Sequence, residues 1–219
     1  MFTLINAPPS PYGRKVAVAL REKGIDHEVR YDLPWGPDTC TPEYSPVQQL
    51  PILIADDATR VYDSSYILEW IEAKFPDPPL LPRDRDARLE AQLRQMLGER
   101  VMEFAHATIF EHHRPDPSKP WIDRQTRKIS GALDELDRLY ATRVIDAGGS
   151  IDLGDIAVAT TLLLLEFVVA EKLSPDLSAF RWRNNRPSLA RAVDALEQRP
   201  SFLATVPQSM DVDIAATVA

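Results

Sequence analysis

The chain predicts two successive domains: an α+β domain of about 80 residues, then an all-helical one. Three observations carry this. Strand-like segments are confined to the residues before Asp63, whereas helical periodicity dominates everything after Pro82. The change falls on a proline-rich run, Pro76-Asp77-Pro78-Pro79-Leu80-Leu81-Pro82. The 19 prolines mark element ends rather than interrupting strongly periodic segments, as expected of a residue that lacks an N–H and breaks helix interiors.

Taken in order, Phe2 to Asn6 reads as a short strand. Ser10 to Lys23 reads as a helix, with Ser10 as N-cap, Pro11 in the first helical position and Gly24 at the end. Asp26 to Asp32 is a second strand. Pro51-Ile52-Leu53-Ile54-Ala55 and Arg60-Val61-Tyr62 form a hairpin around Asp56-Asp57, and Asp63 to Phe75 is a helix with Ile67, Leu68 and Ile71 on one face. Beyond the linker, Arg83 to His113, Arg124 to Tyr140, Asp152 to Ala170 and Pro187 to Arg199 read as helices, the third opening on Asp152-Leu153-Gly154-Asp155, a capping box with Asp in its last position. This divides the chain into residues 1–76, a linker at 77–83, a helical domain at 84–207 and a tail at 208–219 that is expected to be poorly ordered. No internal repeat is visible.

The formal net charge is -8, and basic residues are scattered among acids, which argues against a nucleic-acid surface. A single cysteine, Cys40, rules out an internal disulfide and fits a reducing compartment. The first residues carry neither a basic nor a long apolar segment of signal-peptide type. The most apolar stretch, Ile156 to Ala170, is interrupted by Glu166 and falls short of the roughly 20 residues that span a bilayer, so it reads as a buried core helix. The expectation is a cytoplasmic protein with no membrane contact.

Six short segments, in this order and spacing, resemble the glutathione S-transferase family along nearly the whole chain. Ser10-Pro11-Tyr12-Gly13-Arg14-Lys15-Val16 is similar to its active-site segment. Ser45-Pro46-Val47-Gln48-Gln49-Leu50-Pro51 resembles the approach to its cis-proline, and Tyr62-Asp63-Ser64-Ser65 the start of its glutathione-binding helix. Leu81-Pro82 resembles the end of its linker, Ile151 to Ala157 the cap of its buried helix, and Arg199-Pro200-Ser201-Phe202 its ending. The serine at the active position points to bacterial, zeta-like or theta-like members. The resemblance implies a thioredoxin-like domain followed by the family's helical domain, and a homodimer formed across the first domain and the Arg83 to His113 region.

It also implies a chemistry. A free thiol ionises near pH 8.5, and a mostly ionised thiolate at neutral pH needs about 3 kcal/mol of stabilisation. A hydrogen bond to the anion supplies about 1.5–3 kcal/mol and a helix N-terminus roughly 0.3–1 kcal/mol. Ser10 offers both, acting as donor to the glutathione sulfur rather than as nucleophile. Read from the residues alone, Ser10 is a helix cap; Tyr12 is the second choice of donor. By the same resemblance Leu50 and Pro51 pair with the peptide part of glutathione. Asp63 and Ser64 take the γ-glutamyl end, and Gln49, with Gln48 beside it, takes the glycyl end. Tyr12, Phe104, His106 and Phe110 are the expected border of a pocket for a small hydrophobic electrophile. Glu103, His106, His112 and His113 do not make a metal site, because a second such motif is missing, and no metal is expected. Cys40 lies in a loop and is a bystander. The activity implied is transfer of glutathione to an electrophile. The alternatives are a glutathione-dependent isomerase or dehalogenase, or a non-catalytic regulatory protein on the same scaffold, as in stringent starvation protein.

Overall fold

A computed structural model of the chain describes residues 1–178, 180–211 and 214. The first part is a four-stranded mixed sheet in the order β2-β1-β3-β4. Strand β1 (Phe2–Asn6) runs parallel to β2 (His27–Tyr31) and antiparallel to β3 (Ile52–Ile54), which pairs with β4 (Arg60–Tyr62). The parallel pair requires a crossover, and helix α1 (Pro11–Glu22) supplies it. Leu4, Leu53 and Val61 alternate onto one sheet face, where they meet Val16 and Leu20 of α1 and Ile67, Leu68 and Ile71 of helix α3 (Ser64–Lys74). The loop between β2 and β3 carries one turn of helix, α2 (Thr41–Tyr44).

The rest is helical, as the sequence pattern predicts. Helix α4 (Arg85–His112) packs on one side against the central α6 (Leu153–Ala170) and on another against α5 (Lys119–Tyr140). Helix α5 begins five residues before the expected Arg124, because Pro120 lies in its first turn, where a missing N–H leaves no bond unmade. Helices α7 (Pro175–Ser178), α8 (Trp182–Asn185), α9 (Pro187–Glu197) and α10 (Pro200–Leu203) complete the domain. The four single-turn helices α2, α7, α8 and α10 were not anticipated; four residues are too few for a period of 3.6 to register.

One expectation needs correction. Helix α6 is 18 residues long, and by length and composition it is apolar enough to cross a membrane, so the argument from shortness fails. Its placement, not its length, makes it a core helix: 78% of that window is buried inside the protein. Its start is locked by the anticipated capping box: Asp155 N–H donates to Asp152 Oδ1 and Asp152 N–H to Asp155 Oδ2, each at 3.0 Å. Both carboxylates also take charged donors from outside the helix. Arg94 reaches Asp152 at 2.6 Å, Arg143 reaches Asp155 at 2.5 Å, and the Tyr140 hydroxyl donates to Asp155 at 2.9 Å.

Of the tail expected to be poorly ordered, residues 212, 213 and 215–219 lie outside the described residues. In the described part, Gln208 N–H donates to the Pro8 carbonyl at 3.4 Å and Ile214 packs against the core.

Candidate functional site

The site is built where α1 starts. Ser10 sits outside the helix in extended backbone, and its Oγ accepts the Gly13 N–H at 3.3 Å. The hydroxyl oxygen thus serves as the cap, while its proton stays available for a second partner. Gly13 has a steric reason. A Cβ there would lie 1.7 Å from Asn6 Oδ1, so the buried Asn6 amide occupies the space a side chain would need. The end of β1 and the first turn of α1 are pressed together under Ser10.

Two further segments have unusual backbone forms, the first of which, a cis-proline, the resemblance implies. The Leu50–Pro51 peptide bond is cis, and Pro51 is buried beside the half-buried Leu50. Gln48 and Gln49 precede it as exposed residues, Gln48 with φ 51°. Asp63 also has positive φ, 48°, at the N-cap of α3, where its Oδ1 accepts the Ser65 N–H at 2.8 Å. A non-glycine residue in this region is uncommon, and such residues gather at ligand sites. Ser64, the first residue of α3, is buried at the same helix start.

Sequence reasoning missed what holds α3 to α1 and α4. The Lys15 ammonium, fully buried, contacts Glu99 Oε1 at 2.5 Å and Ser65 Oγ at 3.2 Å. The same Oε1 also accepts the Ser65 hydroxyl at 2.9 Å and Gln95 Nε2 at 3.0 Å. Burial pulls the Lys15 pKa down, and Glu99 opposes that shift. Lys15 was visible only as part of a quoted motif, and nothing local in the sequence pairs it with a residue 84 positions away.

Between the first turn of α1 and α4, Tyr12 and His106 face each other with ring centroids 5.2 Å apart. Burial, then the carboxylates of Glu103, Glu99 and Asp63, push the Tyr12 hydroxyl well above its ordinary pKa, so it stays protonated. His106 Nδ1 lies 2.9 Å from the Met102 carbonyl and can only donate to it, while burial pulls the imidazole pKa down. Phe110, one turn beyond His106, meets Trp35 edge-on at 5.9 Å. Trp35 comes from the loop after β2 and was not singled out from the sequence.

The structure does not bring Phe104 to this group. Two residues along an α-helix is about 200° of rotation, so Phe104 and His106 point to opposite sides of α4. The Phe104 ring lies under Lys128 Nζ of α5, 4.6 Å from its centroid. Cys40 donates to Asp32 Oδ2 at 3.3 Å, and burial followed by the Asp32 carboxylate raises its pKa, the reverse of what a reactive thiolate needs. Among the described residues no group of three or more His, Cys, Asp or Glu is placed to hold a metal ion.

The mixed sheet with its cis-proline corner, the capped serine at α1 and the helical second domain define a thioredoxin-like fold with a helical extension. The chain belongs to the glutathione S-transferase family: residues 4–79 match the family's N-terminal domain and residues 119–195 its C-terminal domain. Among solved structures it is similar to a glutathione S-transferase from Methylobacterium radiotolerans in complex with glutathione sulfonate. The two are 40% identical, with 97% of each chain covered and a TM-score of 0.87. A glutathione S-transferase from Methylobacillus flagellatus with glutathione bound is 29% identical over 95% of this chain and all of that one, with a TM-score of 0.85. The uncharacterised GST-like protein YibF of Escherichia coli is 29% identical, covering 93% of this chain and 98% of its own.

Proposed function

We propose that the chain is a glutathione transferase in which Ser10 holds the glutathione sulfur as a thiolate for attack on a small hydrophobic electrophile. One observation carries the reading: Ser10 Oγ spends a lone pair on the Gly13 N–H, which leaves the hydroxyl proton to donate at the mouth of α1, within one turn of Tyr12. The relatives bound to glutathione or its sulfonate support the ligand.

The residues fit the tripeptide. Asp63 and Ser64 at the start of α3 suit the γ-glutamyl group, the helix end for its carboxylate and Asp63 for its ammonium. Leu50 at the cis bond suits the cysteinyl backbone, and the exposed Gln49 and Gln48 suit the glycyl end. Ser10 and the first turn of α1 stabilise the sulfur anion once its proton has left to solvent. The new bond joins sulfur to the electrophilic carbon, and either a leaving group departs or a double bond takes up a proton. Tyr12, His106, Phe110 and Trp35 form the wall on the electrophile side.

Ser10→Ala is expected to lower turnover by about tenfold or more, the worth of one hydrogen bond to a charged group, while calorimetric affinity for glutathione stays within about threefold. Unchanged turnover rejects Ser10 as the activating group and moves the role to Tyr12. We further propose a cytoplasmic homodimer, each subunit carrying the domain of residues 1–76, the linker at 77–83 and the helical domain of residues 84–207. Leu89, Leu93 and Met96 lie exposed along one side of α4, with Tyr66 exposed on α3, an apolar face suited to a second copy. Sedimentation as a monomer at micromolar concentration contradicts the dimer.

A further inference from the structure

We propose that His106 determines which electrophiles this chain accepts, by presenting the lone pair of its Nε2 as a hydrogen-bond acceptor and so favouring substrates that carry a hydroxyl or N–H donor; this rests on the transferase reading above. The tautomer follows from the contact at Nδ1. A carbonyl oxygen can only accept, so the proton sits on Nδ1 at 2.9 Å from Met102 O, and the neutral ring keeps an unprotonated Nε2. Because Met102 belongs to the same helix, Nδ1 is turned to the α4 backbone and the Nε2 edge away from it, while the Tyr12 ring lies against the imidazole with centroids 5.2 Å apart. Among the described residues Nε2 has no hydrogen-bond partner, and it is not sealed from solvent.

The surroundings make this nitrogen decisive. Tyr12, Trp35 and Phe110 offer aromatic faces and edges, which favour a flat apolar body but discriminate little between such bodies. A ligand that covers Nε2 without a donor strips it of water and returns nothing, whereas one with a donor replaces that water. His106 and Phe110 are four residues apart on α4, so the acceptor and the Phe110–Trp35 pair share one face of the helix, and a single aromatic substituent on the sulfur spans both.

The test is calorimetric and needs no turnover. The full chain is titrated with glutathione, S-benzylglutathione, S-(3-hydroxybenzyl)glutathione and S-(4-hydroxybenzyl)glutathione. At least one hydroxybenzyl conjugate is expected to bind about three- to tenfold more tightly than the benzyl conjugate, the worth of a neutral hydrogen bond. His106→Gln, which keeps an acceptor, should retain the preference. His106→Phe and His106→Leu should reduce it to within about twofold while still binding the benzyl conjugate. Equal affinities in the unmodified chain overturn the proposal whatever the variants do, and so does a preference that persists in both apolar variants. Failure of glutathione and of every conjugate to bind instead refutes the transferase reading itself.

Discussion

Gly13→Ala and Gly131→Ala are the same chemical change made in two helices, and the structure assigns them opposite signs. Both add one methyl group to a helical glycine, which in an open helix raises stability by up to about 1 kcal/mol. At Gly131 in α5 the new Cβ meets nothing within 4 Å, so the full gain is expected. At Gly13 the Cβ falls 1.7, 2.0 and 2.4 Å from Oδ1, Cγ and Nδ2 of Asn6, where ordinary contact begins at 3.4 Å. Asn6 is only 7% exposed and has little room to swing aside. Forcing a methyl group into a filled site costs about 1–3 kcal/mol. The clash outweighs the gain, and Gly13→Ala should lie about 1–3 kcal/mol below Gly131→Ala in urea unfolding at unchanged m-value.

The same displacement pushes on the Gly13 N–H that caps Ser10, so Gly13→Ala should also weaken glutathione binding, which Gly131→Ala leaves alone. Removing the obstruction tests the cause. In the Asn6→Ala/Gly13→Ala double variant the two losses should be strongly non-additive, because the second substitution no longer meets the amide. If Gly13→Ala and Gly131→Ala raise the unfolding midpoint equally, the packing of Asn6 beneath the serine is wrong, and with it the account of how Ser10 is held.

Other outcomes follow from the charged clusters. Asp155→Ala deprives the half-buried Arg143 guanidinium and the buried Tyr140 hydroxyl of their shared acceptor, takes away a carboxylate 3.8 Å from the buried Arg94 guanidinium and removes half of the α6 capping box, so unfolding free energy should fall by about 3–5 kcal/mol; a loss below about 1 kcal/mol contradicts the network. Glu22 is held by Arg199 at 2.6 and 2.9 Å and by the Ser201 hydroxyl; burial alone would raise its pKa, but these donors outweigh that and leave it depressed. A depressed carboxylate contributes stability above its unfolded pKa of about 4.3 and loses it as pH falls through the folded value. Unfolding curves of the unmodified chain and Glu22→Gln should therefore differ most near neutrality and converge in acid; a gap that widens below pH 4 refutes the pairing.

The fold was legible because its cues are local. The Ser10 cap followed by Pro11, the Asp-Asp turn of the hairpin and the Asp152–Asp155 box each lie within a few residues, and each stands where the sequence puts it. Of the candidate site's backbone, the cis Leu50–Pro51 bond was legible only through the resemblance, and the positive φ of Asp63 was not legible at all, since nothing in the residues alone dictates either. The tertiary pairings were not legible at all. Lys15 and Glu99 lie on different domains, and Trp35 belongs to a loop with no period to give its direction away. Phe104 is different: the spacing that separates it from His106 and Phe110 was present in the sequence, and about 100° of turn per residue sorts the three correctly.

The geometry of α4 explains why this helix said so little in advance. Taking Glu99 as origin, Gln95, Glu103, His106 and Phe110 fall within about 40° of it, and this sector looks at α1, α3 and the Trp35 loop. Gly98, Met102, Ala105 and Ile109 lie about 60–120° to one side and are buried. Leu89, Leu93 and Met96 lie about 60–120° to the other and are exposed. A helix that packs into a core on one side, meets α1, α3 and the Trp35 loop on a second and leaves an apolar face open on a third has no single polar side, so a reading for amphipathicity finds only weak order. The same arrangement ties the two contact groups of this sector together. Glu99 and His106 are seven residues apart on one face, about 10.5 Å along the axis, so the anchor beside Ser65 and the acceptor beside Tyr12 are set by a single rigid rod. On the proposed reading, substitutions at His106 or Phe110 are expected to alter the choice of electrophile while leaving the Asp63 and Ser64 end of the site intact.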